Sequence, residues 1–208
     1  MLSHQAAGDH ELGRTIDVVA DLAGPENFVR IFGPEHGFWG VKQDMEAATS
    51  EIDRGTRTEI VSLYGDDPKL PRESTPDGVR TWKCELQQKK KELWPKPKDI
   101  EDVEVLVVDL QDVGARYYTF ANTMAYCMEI AKSTGTKVIV CDRPNPIGGG
   151  GVEGNLFEDG DRWFRFVGQF NIPQRHGMPI GALARLYQNV AAKSRSAPAV
   201  ITVPGVTS

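Results

Sequence analysis

Several short runs of apolar residues along the chain have the length of buried β-strands. The clearest are VEVLVVDL (103–110) and KVIVCD (137–142), which are continuous, rich in β-branched residues and bounded by polar ones. NFVRIFG (27–33), TEIVSLYG (58–65) and AVITVPG (199–205) have the same character. Continuous runs of this kind predict strands that are covered on both faces of a sheet.

Between these runs, apolar residues recur at helical spacing. Segment 119–135 places them on one face and closes at a glycine, and shorter segments of the same type occupy 16–23 and 181–193. An exposed helix with a lysine run is predicted for 81–94. Alternating strands and helices predict an α/β fold with a doubly wound, mainly parallel sheet. The opening residues MLS are the only candidate for a first strand, and we expect so short a stub to pair poorly.

Composition and charge are those of a soluble globular chain. The 208 residues are 40% hydrophobic and 25% charged, with a net charge of −5, so binding to nucleic acid or acidic membranes is not expected. No apolar run approaches the roughly 18 residues of a membrane span. The first residues lack the regions of a signal peptide, which by itself favours a cytoplasmic chain. Cys84, Cys127 and Cys141 are expected to be free, buried thiols.

Polar side chains follow four of the predicted strands at the point where each strand ends. Because the carboxyl ends of parallel strands lie on one edge of the sheet, and such sheets bind ligands there, we expect these side chains to converge on one rim. In chain order they are Glu35, His36, Tyr64, Asp109, Gln111, Asp112, Arg116, Tyr117, Tyr118, Asp142, Arg143 and Asn145. Their convergence indicates a binding or catalytic site, although no single position is decisive.

Each of these residues also has a structural interpretation. Glu35 and His36 could serve only to satisfy a loop, and Asp109 and Asp142 could cap backbone N–H groups of the next turn. His176, in QRHGMPIG, stands at a helix start, where capping and ligand contact are equally open. The glycines of DRPNPIGGGG do not form G-x-G-x-x-G, and the chain has no P-loop, H-E-x-x-H or cysteine cluster, so neither a nucleotide nor a zinc site is predicted.

Six sequence blocks follow one another along the chain: FGPEHGFWG, SLYG, VDLQDVGARYYTFANTM, DRPNPIGG, VEG and IPQRHGMPIGALA. Together, and in this order, they resemble the exo-β-N-acetylmuramidases of the NamZ type. The resemblance runs from about Ser3 to Pro204. It implies a bacterial glycosidase that removes non-reducing-terminal N-acetylmuramic acid from peptidoglycan fragments, with no metal or other cofactor.

The resemblance also implies a domain organisation. The family has a Rossmann-like N-terminal domain and a smaller C-terminal domain, with the active site between them. Residues 1–178 would form the first domain and 179–208 would begin the second. Family members are usually longer at both ends and often secreted or periplasmic, so we expect this chain to be truncated at both ends.

By its position in the P-E-H-G motif, the resemblance makes Glu35 the catalytic acid, with His36 holding it or contacting the sugar. Glycoside hydrolysis needs a proton donor for the leaving oxygen, and a carboxyl group shielded by Phe38 and Trp39 suits that task. The two aromatic residues could equally stack on a pyranose ring or simply pack. Candidates for the second carboxylate are Asp112 and Asp142, followed by Asp109 and Glu153.

The remaining predicted site residues would bind the substrate. Arg116, Arg143 and Arg175 are expected to pair with the lactyl carboxylate of muramic acid, because a guanidinium group matches a carboxylate in a bidentate manner. Other contacts are expected from Tyr64, Gln111, Tyr117, Asn145, Glu153 and His176. The expected partner is a small muropeptide or disaccharide. A non-catalytic sugar-binding module and, with less support, a nucleotide-dependent Rossmann enzyme are the alternatives.

Overall fold

The computed structural model of the chain describes residues 1–43, 49–64, 95–156, 171–192 and 200–204. The helix predicted for 81–94 and Cys84 lie outside these residues. Cys127 and Cys141 are free thiols, the first buried and the second half-buried.

The described residues form one seven-stranded sheet, in the order β3-β4-β2-β1-β5-β6-β7. Its strands are β1 (Leu2–Ser3), β2 (Ile31–Gly33), β3 (Glu51–Ile52), β4 (Glu59–Ser62), β5 (Val105–Asp109), β6 (Lys137–Asp142) and β7 (Val200–Pro204). All described pairs are parallel except β3 with β4. The predicted α/β class with a mainly parallel sheet is therefore confirmed.

Three α-helices and a 3₁₀ helix accompany the sheet in the described part of the chain. They are α1 (Thr15–Ala23), α2 (Phe120–Thr134), α3 (Ile180–Ala192) and the 3₁₀ helix Pro97–Asp99. Helix α2 ends at Gly135, whose φ of +78° is left-handed, as the closing glycine predicted. The Tyr187 hydroxyl donates to the Glu129 carboxylate at 2.6 Å and ties α3 to α2.

Helices cover both faces of the sheet, as a doubly wound fold requires. Successive residues of a strand point to opposite faces. Phe32 packs in the core cluster that contains α2 and α3, whereas its neighbour Ile31 packs in a second cluster with Ile16 and Ala20 of α1. The central strands are therefore buried from both sides, which accounts for their continuous apolar sequence.

Strand β1 lies at the centre of the sheet, contrary to the prediction that MLS would pair poorly. Leu2 pairs with Phe32 of β2 and with Val108 of β5, and Ser3 pairs with Asp109. Leu2 and Ser3 are fully buried. A two-residue strand is held here because neighbours on both sides complete its hydrogen bonds, which its length alone does not reveal.

The sheet does not stop at the boundary predicted between residues 178 and 179. β7 pairs with β6 along its whole length, from Val138 with Val200 to Asp142 with Pro204. Leu183 of α3 is fully buried in the core cluster shared with β5 and β6. Residues on both sides of the predicted boundary thus contribute to one sheet and one core.

The strand order reverses direction between β1 and β5. From β1 the chain builds outward through β2 and β4 on one side, and through β5, β6 and β7 on the other. In open parallel sheets of this order, the crevice at the carboxyl ends of the strands beside the reversal is the usual ligand site. The loops that follow β1, β2 and β5 meet at this crevice.

Candidate active site

The turn after β2 holds the acid and the imidazole of the P-E-H-G motif. Glu35 is only 4% exposed, and the Gly37 N–H donates to the Pro34 carbonyl at 3.0 Å. His36 has a φ of +70°, a left-handed conformation that is uncommon for residues with a Cβ. Its Nδ1 lies 3.0 Å from the Lys42 carbonyl oxygen, which can only accept, so Nδ1 carries a proton. The turn is thus held in one conformation from both sides.

A series of ring contacts connects this turn to the reversal point of the sheet. His36 stacks on Tyr118 with centroids 5.6 Å apart, Tyr118 meets Phe120 edge-on at 4.8 Å, and Phe120 meets His4 at 4.6 Å. The pKa of Tyr118 is raised, mainly by burial and then by the negative charge of Glu35. Glu35 therefore lies close to Tyr118, at the start of α2.

Tyr118 is a site residue that the sequence did not distinguish from its neighbour. Tyr117, the predicted substrate ligand, is 60% exposed, whereas Tyr118 packs between His36 and Phe120. The sequence shows two adjacent tyrosines before a helix and no periodic pattern that separates them. Only the entry of the chain into α2 decides which ring faces the turn.

His4, directly after β1, is a second residue that the sequence analysis missed. It is 3% exposed, and its Nε2 accepts the Gln111 N–H at 2.8 Å. Burial lowers its pKa to about 4, with the charge of Arg143 lowering it further and that of Asp109 opposing the shift. His4 is thus a neutral imidazole near pH 7. It was overlooked because it follows the stub that was not expected to act as a strand.

Asp112 is held from two sides in the loop after β5. It is 4% exposed, and its Oδ2 accepts the Gly114 N–H at 2.8 Å. The same oxygen lies 3.3 Å from Nε2 of the buried His176. Because Nδ1 of His176 accepts the Met178 N–H at 3.1 Å, Nε2 carries the ring proton, and this proton lies on the side of the ring nearest Asp112. The other oxygen, Oδ1, is buried and meets no donor among the residues that the structure describes.

The other predicted carboxylates bond to groups of the protein itself. Asp109 is 1% exposed and forms a bidentate pair with Arg143, whose Nη2 lies 2.8 Å from Oδ2. Asp142 accepts the Gly181 N–H at 2.8 Å, in the first turn of α3. Glu153, with its side chain 69% exposed, pairs with Arg175 at 2.9 Å. Asp109 and Asp142 thus bond within the protein, although not to backbone N–H groups of the turns that directly follow their strands.

The three arginines predicted to bind a substrate carboxylate already have acceptors within the protein. Arg143 pairs with Asp109 and also donates to the Gly8 carbonyl at 2.9 Å. The acceptors of Arg116 include the carbonyls of Asn155 (2.7 Å) and Ile172 (2.6 Å), and those of Arg175 are the Ile147 carbonyl (2.7 Å) and Glu153. Only Nε of Arg175 is buried without an acceptor among the described residues. Arg116 and Arg175 thus hold the loop after β6 against the segment before α3.

The predicted amide ligands connect the loops of the rim. Gln111 Nε2 donates to the carbonyls of Asp112 and Pro144, at 2.9 and 3.1 Å. Asn145 Nδ2 donates to the Met178 carbonyl at 3.1 Å. The loops after β5 and β6 and the entry to α3 are therefore joined beside Asp112. Tyr64 lies half-buried beyond β4, on the other side of the P-E-H-G turn.

A cavity of about 130 Å³ opens beside His36, between the ends of β2 and β4. Trp39 borders it, is 41% exposed, and is oriented by an edge-on contact with the buried Phe38 at 4.9 Å. Trp39 also borders a larger cavity of about 470 Å³, in which Arg14 lies 5.8 Å from its ring. An exposed indole face beside a cavity can stack on a sugar ring.

No group of three or more metal-ligating side chains occurs among the described residues. Within the same part of the chain, no helix has the length and hydropathy needed to cross a membrane.

Comparison with known proteins gives consistent matches over nearly the whole chain. Residues 1–88 and 83–207 match the family model described as exo-beta-N-acetylmuramidase NamZ, N-terminal. The peptidoglycan beta-N-acetylmuramidase NamZ of Bacillus subtilis (strain 168) is 35% identical over 188 residues, which are 90% of this chain and 38% of that protein. The chain thus spans less than half the length of this relative.

Two crystal structures of DUF1343 family proteins from Bacteroides fragilis NCTC 9343 share the fold. One superposes with a TM-score of 0.71 at 33% identity and covers 97% of this chain and 43% of that chain. The other has a TM-score of 0.69 at 27% identity, with 98% and 45% covered. The resemblance seen in the six sequence blocks is confirmed: the chain belongs to the family described as exo-beta-N-acetylmuramidase NamZ, N-terminal.

Proposed function

We propose that the protein is an exo-β-N-acetylmuramidase, which releases the non-reducing-terminal N-acetylmuramic acid of peptidoglycan fragments. Family membership and the 35% identity to a peptidoglycan beta-N-acetylmuramidase support this function. The substrate is a small carbohydrate that contains N-acetylmuramic acid. The chain spans 38% of that relative, so the activity belongs to the full-length protein.

The burial of Glu35 in the turn after β2, one strand from the reversal of the sheet order, carries the proposal. A general acid of glycoside hydrolysis must deliver a proton to the leaving oxygen, and a carboxyl group held in a turn shielded from bulk water is suited to this role. Glu35 is 4% exposed, beside the aromatic ring of Tyr118, in a turn fixed by hydrogen bonds. We assign it the transfer of a proton to the glycosidic oxygen as the bond to the sugar breaks.

His36 is the residue that holds the turn around Glu35. Its Nδ1–H donates to the Lys42 carbonyl and its ring stacks on Tyr118. A substitution at His36 would therefore shift the position of Glu35. Trp39, exposed at the edge of the neighbouring cavity, is the candidate to stack on a pyranose ring.

Arg175 is the arginine that we propose as the partner of the lactyl carboxylate. Its side chain is 34% exposed, and its present partner Glu153 is itself 69% exposed. A surface pair of this kind contributes little stability and can exchange for a ligand carboxylate. Arg116 and Arg143 position the loops around the site, and Arg175 also does so through the Ile147 carbonyl.

The test is release of N-acetylmuramic acid from the disaccharide MurNAc-GlcNAc by the purified full-length protein. Glu35→Gln removes the proton but keeps the size of the side chain, and loss of a general acid lowers kcat by about 10²–10⁴-fold. The matched control is Glu104→Gln, an exposed residue before β5 at the opposite edge of the sheet.

Two results would contradict the proposal. One is binding of the disaccharide in a calorimetric titration without release of sugar, which would identify a non-catalytic sugar-binding module. The other is a Glu35→Gln protein that is as active as the Glu104→Gln control.

A further inference from the structure

The reaction proposed above needs a second carboxylate besides Glu35, and the geometry of the rim distinguishes among the candidates. We propose that Asp112 is this second carboxylate, acting as a general base through Oδ1, and that His176 is its positioning residue. This inference rests on the proposed function and adds the identity of the base, its support and the stereochemical course.

One carboxylate oxygen of Asp112 is hydrogen-bonded within the protein, and the other has no donor among the described residues. Oδ2 accepts the Gly114 N–H at 2.8 Å and faces the proton on Nε2 of His176 at 3.3 Å. Oδ1 is buried and has no donor among the residues described. A buried acceptor without a partner is costly to a folded protein and is expected where a ligand supplies the missing hydrogen bond. Oδ1 is therefore the oxygen of Asp112 that remains available for a hydrogen bond from a bound water or substrate hydroxyl.

The distance between strands separates Asp112 from Asp142. Neighbouring strands lie about 4.8 Å apart, so the end of β5, two strands from β2, is about 10 Å from the turn that holds Glu35. The end of β6 is three strands away, about 14 Å. Paired carboxylates of glycosidases are roughly 5–9.5 Å apart. Side chains that lean into the crevice can bring Asp112 into this range, whereas Asp142 starts too far away and caps α3.

The remaining candidates lack a suitable oxygen. Both oxygens of Asp109 are taken by the guanidinium of Arg143. Glu153 lies on the loop after β6, with a side chain that is 69% exposed and paired with Arg175. Asp112 alone among the four combines burial, a fixed orientation and an oxygen that meets no donor in the described part of the chain.

A two-strand separation also favours a base over a nucleophile as the proposed role of Asp112. Carboxylates about 5 Å apart allow direct attack on the sugar, whereas a gap of roughly 6.5–9.5 Å leaves room for a water molecule between acid and base. Glu35 gives its proton to the glycosidic oxygen, and the bond between that oxygen and C1 breaks. Water forms the new bond to C1 and gives a proton to Oδ1 of Asp112. A β-linked substrate is therefore released first as the α-anomer.

His176 contacts both Asp112 and the entry to α3, and two substitutions separate these contacts. Glutamine places an amide near the position of Nε2, so His176→Gln keeps a donor for Asp112 and loses the acceptor for Met178. Asparagine places its amide near the position of Nδ1. His176→Asn therefore keeps an acceptor for the Met178 N–H and loses the donor beside Asp112. A positioning role predicts that the two variants differ in kcat, whereas a purely structural role predicts that they follow stability alone.

The experiment uses the full-length protein and the disaccharide MurNAc-GlcNAc. Asp112→Asn is expected to lower kcat by about 10²–10⁴-fold with little change in KM, and Asp21→Asn, on the exposed side of α1, serves as the matched control. His176→Gln should stay within about tenfold of the unmodified protein, and His176→Asn should approach Asp112→Asn. Thermal unfolding of each variant reports its folding.

The anomer formed first by the unmodified protein, read by proton NMR within the first minutes, tests the base without any substitution. The α-anomer is expected. An active protein that releases the β-anomer, an Asp112→Asn protein with unchanged kcat, or a His176→Asn protein as active as His176→Gln overturns this inference and leaves the proposed function standing. An unmodified protein that releases no sugar overturns both.

Discussion

At the scale of single residues, His4 shows how burial sets a protonation state. The imidazole accepts the Gln111 N–H through Nε2 and sits beside the ion pair of Asp109 and Arg143. Protonation would replace an acceptor by a second donor and bury a charge. The folded protein therefore binds a proton at His4 only near pH 4, whereas an unfolded chain binds it near pH 6.5.

This difference predicts a loss of stability in acid. Between pH 6.5 and about 4 the unfolded chain carries more protons at His4 than the folded one, so the free energy of unfolding falls as the pH is lowered through this range. The contribution of His4 is at most about 3 kcal/mol. Above pH 6.5 His4 is neutral in both the folded and the unfolded chain, so none of this stability is lost there.

His4→Gln isolates the effect, because the glutamine carbonyl can accept the Gln111 N–H and does not titrate. Urea unfolding of the unmodified protein and the variant at pH 7 and pH 4 gives the two pH dependences. The unmodified protein should lose more stability than the variant, since all other groups titrate equally in both. Parallel pH dependences would show that His4 is not held neutral by the fold.

At the scale of elements, the Asp109–Arg143 pair joins three pieces of the rim. Asp109 ends β5, Arg143 follows β6, and the guanidinium also reaches the Gly8 carbonyl in the loop after β1. Asp109 is 1% exposed, and Arg143 supplies the ion pair that compensates the burial of its carboxylate. The pair therefore fixes the spacing between the carboxyl ends of β1, β5 and β6 next to the candidate site.

Arg143→Met is expected to destabilise the protein by about 3–5 kcal/mol, because it leaves a buried carboxylate without its partner. The matched control is Asp102→Asn, which breaks an exposed ion pair with Arg30 and should cost less than about 1 kcal/mol. Denaturant unfolding measures both. Adding Asp109→Asn to Arg143→Met should restore part of the loss, and equal effects of Arg143→Met and the control would contradict the assignment.

Element prediction succeeded where burial is reflected in local sequence. β6 has the bounds predicted, and α2 agrees to within one residue at each end, because an uninterrupted β-branched run and a closing glycine are local signals. β2 covers only the last three residues of its predicted run. β3 was missed altogether, since both of its residues are exposed and it forms only by antiparallel pairing with β4.

At the scale of the whole molecule, α3 and β7 complete the sheet and cover its core. Ile180, Leu183 and Ala184 are buried against β6 and α2, and β7 protects the outer edge of β6. Removing these elements would expose apolar surface on one face and leave β6 as an open edge.

A chain ended after residue 178 is therefore expected not to unfold cooperatively. Comparison of its circular dichroism and denaturant unfolding with those of the full sequence checks this expectation. A matched truncation after residue 204 retains α3 and β7 and should keep the cooperative transition. If the shorter fragment unfolded as sharply as the longer one, the boundary first predicted at residue 178 would be an independent domain end.

The sequence by itself determined the α/β class and the family, because these depend on local periodicity and on ordered motifs, and it predicted a set of polar residues at one rim. It could not rank those residues. Tyr117 and Tyr118, or Asp112 and Asp142, look alike in the chain, and their roles differ only through contacts between distant segments. The tertiary structure decided that β1 is a central strand, that Arg143 and Asp142 are bonded within the protein, and that His176 meets Asp112. Burial and pairing across the sheet create these differences, and neither is encoded at a single position.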